Sequence, residues 1–303
     1  MVDGQKTAHL GGFCFDLSWS VVLCYGESME KEFKKAVRSE GFSFEHSIFK
    51  ILEENRWTII PNRYFLDSYS EKTKEYDLLA FKFFQHKGYE FFLVLIIECK
   101  YNPHRIVFYT RQLKEIGDYP FQFFIGGDIK KVLSFPTFKS VITNLKQYKK
   151  FFYSNEQIFG YQTFEKVKEK NRPTKFKSRP DFNSQKVFES INTVMQAIKQ
   201  EQKIRIPDKN LKTLILFFPL VVFSGKLFKA SFGKRKTFIS KNNIFKYRTS
   251  MISKDINSPE DFCVYVFDKS STQKAVRIFN FLFNKFSKII MDSVDKIEAQ
   301  VPF

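Results

Sequence analysis

EYDLLAFKFF at residues 75–84 and, after the turn His86-Lys87-Gly88, YEFFLVLIIECKY at residues 89–101 decide how the chain reads. Both stretches are rich in the β-branched and aromatic residues that favour strands, and the short glycine-containing turn between them predicts a hairpin. The second stretch is apolar almost without a break, the pattern of a central strand covered on both faces. Its charged end lies beside the charged start of the first: Glu75-Tyr76-Asp77 opens one strand and Glu98-Cys99-Lys100 closes the other. Alternate residues of a strand share a face, so Glu98 and Lys100 point one way and Cys99 the other. Pairing of the two strands brings Asp77 to the same side. Two acids and a lysine ending an apolar strand are costly to bury unless they are paired or metal-bound. An Asp and a Glu that converge suit a hard cation such as Mg2+ through oxygen. A lysine beside them can position or deprotonate a water, or offset charge building on a phosphate.

Upstream, Phe44, Ile48, Ile51 and Leu52 repeat at helical spacing, which predicts a helix capped by Ser43, with Glu45 at the edge of its buried stripe. Trp57–Phe65 reads as a strand interrupted by Pro61, hence near a sheet edge, and Asp67–Lys74 as a polar turn region. Further back, Phe33 and Val37 give a short amphipathic helix ending near Gly41; residues 1–28 have no clear period and read as a leader, with Met29 as an internal start. Downstream, Arg105–Tyr119 reads as helical and Phe121–Ile125 as a short strand. Val187, Phe188, Ile191, Val194, Met195 and Ile198 mark a helix over residues 182–202. Leu211–Phe223 follows as a strand, then Ser224-Gly225 as a turn and Lys226–Phe232 as its hairpin mate. Phe262–Phe267 is another strand, and a long amphipathic helix carrying Val276, Phe279, Leu282, Phe283, Phe286, Ile289 and Ile290 comes last.

A chain of 303 residues fits one large domain or a catalytic domain with appendages, and needs no disulfide or structural metal to fold. The formal net charge of +18 attracts polyanions; the alternative reading is genome composition, since AT-rich codons favour both Lys and Phe, so charge alone decides nothing. Placement says more. Residues 136–180 hold 11 Lys or Arg against 3 Asp or Glu, interleaved with aromatics, and residues 226–254 hold 9 basic residues and no acid. The first stretch suits a groove that tracks phosphates and stacks bases, with Lys166, Lys168, Lys170 and Arg172 as candidate contacts. The alternative is a solvated insertion packed by its own aromatics. The four cysteines are scattered, without zinc or disulfide spacing, which suits a reducing compartment. No run approaches a bilayer span, no signal-peptide pattern stands at the start, and no phosphate-binding glycine loop, GxSxG or HExxH is present. The four histidines are isolated.

The helix with an acid (Phe44-Glu45, then Leu52 and Trp57), the strand Glu75-Tyr76-Asp77-Leu78-Leu79-Ala80 and the strand end Ile96-Ile97-Glu98-Cys99-Lys100 together resemble the PD-(D/E)xK nucleases. Within that restriction-endonuclease-like superfamily the pattern is most similar to Mrr-like bacterial members. The match covers residues 42–101, and the helix over 182–202 with the strand over 211–223 resembles the second half of the same fold. The resemblance implies an α/β fold with an α-β-β-β-α-β core, its central mixed sheet flanked by helices. The first part of the core then spans 29–135, a basic aromatic insertion 136–180, and the second part 181–303 with a C-terminal strand–helix extension. It also implies roles. Asp77 and Glu98 would bind Mg2+ or Mn2+, with the Cys99 carbonyl as a third ligand. Lys100 would activate water, and Glu45 would reach the metal through water or hold a second ion. The implied protein is a cytoplasmic, metal-dependent endonuclease of restriction or phage defence, acting on nucleic acid, double-stranded DNA first, with no membrane partner; a homodimer is compatible with it. The runner-up functions are a nucleic-acid-binding protein that keeps the fold without cutting, and a ribonuclease. The chain departs from the pattern in two places: no proline precedes Asp77, and Gln112 has Ile116 where some relatives carry tyrosine.

Overall fold

Twelve consecutive residues from Tyr89 to Lys100 form the strand around which the molecule is built, because a run this apolar is stable only with layers on both faces. The computed structural model describes residues 41–67, 71–102, 104–112, 124–127, 156–167, 175–178, 184–204, 212–232, 236–251 and 260–298. From Phe44 onward these belong to one compact unit, Phe44–Phe303. In chain order the elements are α1 (Gly41–Glu54), β1 (Thr58–Leu66), β2 (Thr73–His86), β3 (Tyr89–Lys100), β4 (Arg105–Gln112), β5 (Phe124–Gly127), β6 (Glu156–Val167), β7 (Lys175–Ser178), α2 (Ser184–Ile204), β8 (Lys212–Phe223), β9 (Leu227–Phe232), β10 (Thr237–Lys241), β11 (Ile244–Met251), β12 (Glu260–Asp268) and α3 (Lys269–Glu298).

The fold is α/β with a mixed sheet. Its main sheet runs β1-β2-β3-β8-β12-β11, with β5 added antiparallel to β8. β1, β2 and β3 form an antiparallel meander, whereas β3 and β8 are parallel along twelve pairs, from Tyr89 beside Lys212 to Lys100 beside Phe223. α2 precedes β8 and lies on the sheet as a crossover helix. The β2–β3 turn uses Lys87 and Gly88, both at positive φ (46° and 78°), as a two-residue hairpin with the right twist requires. α1 and α3 cover one face: Phe44, Ile48 and Leu52 with Val276, Phe279, Leu282 and Phe286 pack on Leu78, Leu93, Leu95 and Ile97. The other face carries α2, through Ile191, Val194, Met195 and Ile198, together with Ile106, Phe108 and Leu227 of a second sheet. At the start of α3, Asp268 accepts from the Ser271 backbone N–H (3.0 Å) and from the Ser271 hydroxyl (2.8 Å), an N-cap that satisfies donors the helix cannot. Among the described residues no helix is long and apolar enough to cross a membrane.

One rung of the main sheet is irregular. Pairing of β1 with β2 continues in constant register, Pro61 opposite Leu78 and Arg63 opposite Tyr76, but omits Asn62 and Asp77 between them. Side chains should keep alternating across this point. Instead both strands exchange faces: Leu78 and Ile59 belong to the α1–α3 side, while Tyr76 and Phe65 belong to the α2 side. Asn62, in the left-handed region at φ 51°, makes this half-turn. Asparagine tolerates that conformation and β-branched residues do not. Asn62→Val is therefore expected to lower stability by about 1–2 kcal/mol, and Asn62→Gly to stay near the parent, in urea unfolding followed by circular dichroism.

A second, five-stranded sheet runs β10-β9-β4-β6-β7. It corrects two expectations. Arg105–Gln112 is a strand, not part of a helix, with Ile106 and Phe108 buried against the main sheet. β9 is not the hairpin mate of β8; it pairs in parallel with β4 and antiparallel with β10. The cause is Gly225, whose absent Cβ would stand 2.2 Å from the His104 carbonyl oxygen and 2.3 Å from that of Asn102. That close approach carries the chain across to β4 instead of back along β8. α1 also differs from expectation, starting at Gly41 rather than being capped by Ser43. Phe188, expected on the buried stripe of α2, is 46% exposed. The short helix near Phe33 and the leader 1–28 lie outside the described residues.

Candidate active site

The polar cluster sits where the β2–β3 ladder stops. The last pair of the ladder is Leu78 opposite Ile97, and the next step in the same register sets Asp77 beside Glu98. Both strands continue past this point, but β2 has made its half-turn, so backbone groups of β3 are left over. The Cys99 N–H donates to Asp77 Oδ2 (2.5 Å) in place of a strand carbonyl. N–H and C=O of one strand residue face the same edge, so the Cys99 carbonyl opens toward the same gap. The Lys100 carbonyl faces the opposite edge and accepts from the Ser224 N–H (3.1 Å), as alternation requires. Next along the chain, the Asn102 N–H donates to Ser224 Oγ (2.7 Å) and the Asn102 side-chain oxygen accepts from the His104 N–H (2.9 Å). These bonds and Gly225 tie the segment after Lys100 to the end of β8.

Glu98 and Lys100 share a face: Lys100 Nζ lies 2.5 Å from Glu98 Oε1. Cys99 points the other way, into the core with Ile97 and Leu95. Glu98 is only 4% exposed, and its second oxygen, Oε2, accepts no hydrogen bond from the described residues. Glu45, half-buried near the start of α1, completes the group electrostatically.

Asp77, Glu98 and Glu45 all resist ionisation. Burial, then repulsion from Asp77 and, more weakly, from Glu45, push Glu98 up to about 7 despite the pull of Lys100. Burial raises Asp77, with Glu75 adding to it, against the Cys99 N–H and Lys100. Burial and Asp77 raise Glu45. For Lys100, burial acts downward, but the Glu98 charge and hydrogen bond, with Asp77, outweigh it, and the ammonium is held above its usual range. Burial is the largest cause for all three acids, so ionised carboxylates are costly here unless they are compensated. Burial drives the Cys99 thiol well up, so sulfur stays protonated and only the carbonyl of this residue is a plausible oxygen donor.

The donor set fits Mg2+ or Mn2+. It is made of oxygens, and it includes a buried carboxylate oxygen without a hydrogen bond from the described residues. Among the described residues no three His, Cys, Asp or Glu side chains gather closely enough to hold an ion. Of the basic residues expected to touch nucleic acid, Lys166 lies on β6 opposite Phe176, while Lys168, Lys170 and Arg172 lie outside the described residues. Two polar residues of this region escaped the sequence reading: Arg63 and Glu201, which are ion-paired. The signal was present, since Glu201 follows Ile198 at i+3 and so falls on the apolar stripe of α2. No protein-family model matches the chain, and neither a curated protein nor a solved structure was found similar to it.

Proposed function

We propose that this protein is a metal-dependent nuclease that hydrolyses phosphodiester bonds, with a PD-(D/E)xK-type active site of Asp77, Glu98 and Lys100. The observation that carries the reading is the convergence at the end of β3: the Cys99 N–H holds Asp77, Lys100 Nζ lies 2.5 Å from Glu98 Oε1, and the other Glu98 oxygen is buried without a hydrogen bond from the described residues. The order α1-β1-β2-β3-α2-β8, with β3 parallel to β8, supports it, because it is the core order that the motif implies. So does the position of the cluster at the carboxyl end of two adjacent parallel strands, where α/β sheets place their ligands.

Asp77 and Glu98 would hold the cation, with the Cys99 carbonyl beside them. When bound, Mg2+ or Mn2+ supplies Lewis-acid polarisation of the phosphate and lowers the pKa of a water. The chain does the rest. The Cys99 N–H fixes the rotamer of Asp77. Glu98 Oε1 holds the Lys100 ammonium at the rim, where it can position the attacking water and offset charge on the phosphate oxygens. Glu45 orients further water. The net charge of +18 favours a polyanionic substrate, and DNA is the first candidate, in restriction or phage defence.

The test is cleavage of plasmid, single-stranded DNA and RNA with Mg2+ and Mn2+, at several pH values. Activity should vanish in EDTA and return with Mg2+. Because the cation must displace a proton held by Glu98 near pH 7, apparent Mn2+ affinity should fall about tenfold per pH unit below that point and level off above it. Robust cutting in EDTA ends the reading. Tight DNA binding without cutting under any condition selects the non-cutting alternative.

A further inference from the structure

Glu201 lies in the last turn of α2, where the helix dipole disfavours an acid, and is 2% exposed. A buried carboxylate there is costly unless strongly held. Arg63 binds it through both Nε and Nη2, the second contact at 3.4 Å, and the Tyr76 hydroxyl donates to Oε1 at 2.9 Å. Arg63 and Tyr76 are not an arbitrary pair. They stand opposite each other on β1 and β2, and they are the first rung after the half-turn at Asn62 and Asp77. Arg63 directly follows Asn62, and Tyr76 directly precedes Asp77. One carboxylate from a helix more than a hundred residues away in sequence thus grips both strands at the rung that decides where Asp77 points.

We propose that Glu201 is a positioning residue: by holding Arg63 and Tyr76 on the α2 face, it locks the half-turn that keeps Asp77 on the Cys99 N–H and beside Glu98. The step from Tyr76 to Asp77 is one peptide. If Tyr76 turns back to regular alternation, Asp77 must turn with it, and the Cys99 N–H loses its acceptor. The inference about positioning stands on these contacts alone; its consequence for metal binding rests on the function proposed above.

The two parts are read separately. Amide hydrogen exchange of the full-length protein should show the Cys99 N–H protected in the parent. In Glu201→Ala it should exchange at least about tenfold faster, beyond any change shared by Ile97 and Leu95, whose N–H groups face the same edge of the strand, as expected for loss of a local hydrogen bond. Tyr76→Phe removes one hydroxyl without a cavity and should give a smaller change of the same kind, which keeps the test available if Glu201→Ala folds poorly. Glu201→Gln retains two acceptor–donor contacts and should restore part of the protection. The second readout is Mn2+ binding by calorimetry, expected to weaken about tenfold in Glu201→Ala. Uniform acceleration of all β3 amides, or none, overturns the proposal and leaves Glu201 a structural ion-pair member. Local loosening at Cys99 in a protein whose parent never binds Mn2+ sustains the positioning role and removes the nuclease reading.

Discussion

Asp77→Ala is expected to slow metal-supported cleavage by about a thousandfold or more, because one cation ligand and the water that the cation activates are both lost. Nucleic-acid affinity should hold or rise slightly, since a negative charge near the phosphate has gone and most affinity comes from Lys and Arg elsewhere. Lys100→Ala should also stop cleavage yet leave metal binding largely intact, as it removes no oxygen ligand. Single-turnover cleavage, filter binding at fixed salt and Mn2+ calorimetry together check the set. If Asp77→Ala, Glu98→Ala and Lys100→Ala all fold and cut like the parent, these residues are structural and the chemistry lies elsewhere.

The second large effect has opposite signs for stability and activity. Folding lifts the Glu98 carboxyl from its ordinary value to about 7, so the folded state binds the proton more tightly than the unfolded chain. The relative stability from this group is full below pH 4.5 and is lost as pH rises through about 7. The metal-free protein should therefore lose on the order of 2–3 kcal/mol between those limits. Glu98→Gln keeps the shape, cannot ionise and should be more stable than the parent at pH 8 without metal, by about 1–3 kcal/mol. The same change should remove cation binding and cleavage. Denaturant unfolding at pH 5 and pH 8, with EDTA and with Mn2+, measures both. A Glu98→Gln variant less stable than the parent at pH 8 in EDTA would show that Lys100 already satisfies the acid and that no cation is wanted.

How much of this was legible in the sequence depended on how local the cause was. The β2–β3 hairpin was readable because its signals, two apolar runs and the Lys87-Gly88 turn, lie within one stretch of chain. The shared face of Glu98 and Lys100 followed from strand periodicity alone. Arg105–Gln112 was misread because Arg111, Gln112 and the residues after them favour helices, while the inward residues Ile106 and Phe108 are too few to announce period two. Lys226–Phe232 looked like the partner of β8 because Ser224-Gly225 resembles a hairpin turn. The real reason for Gly225 is its contact with Asn102 and His104, a partner far away in sequence. The half-turn at Asn62 was invisible for the same reason. Asparagine in a strand marks a break, but only the packing of Phe65 and Tyr76 against α2 shows that both strands change face there.

The parallel junction of β3 with β8 also sets how the protein comes into being. Ile97 meets Leu220 only after the whole intervening chain has been made, and Ile106 must likewise wait for Leu227. Such pairings demand loop closure before they return any stabilisation, and proteins dominated by them fold in milliseconds to seconds or slower. During synthesis the meander of β1, β2 and β3 emerges first, with one edge of its most apolar strand open until Lys212–Phe223 arrives. An open edge of that kind recruits other strands readily. The interval in which the nascent chain is most exposed to misassembly therefore ends only when β8 has left the ribosome and can pair with β3.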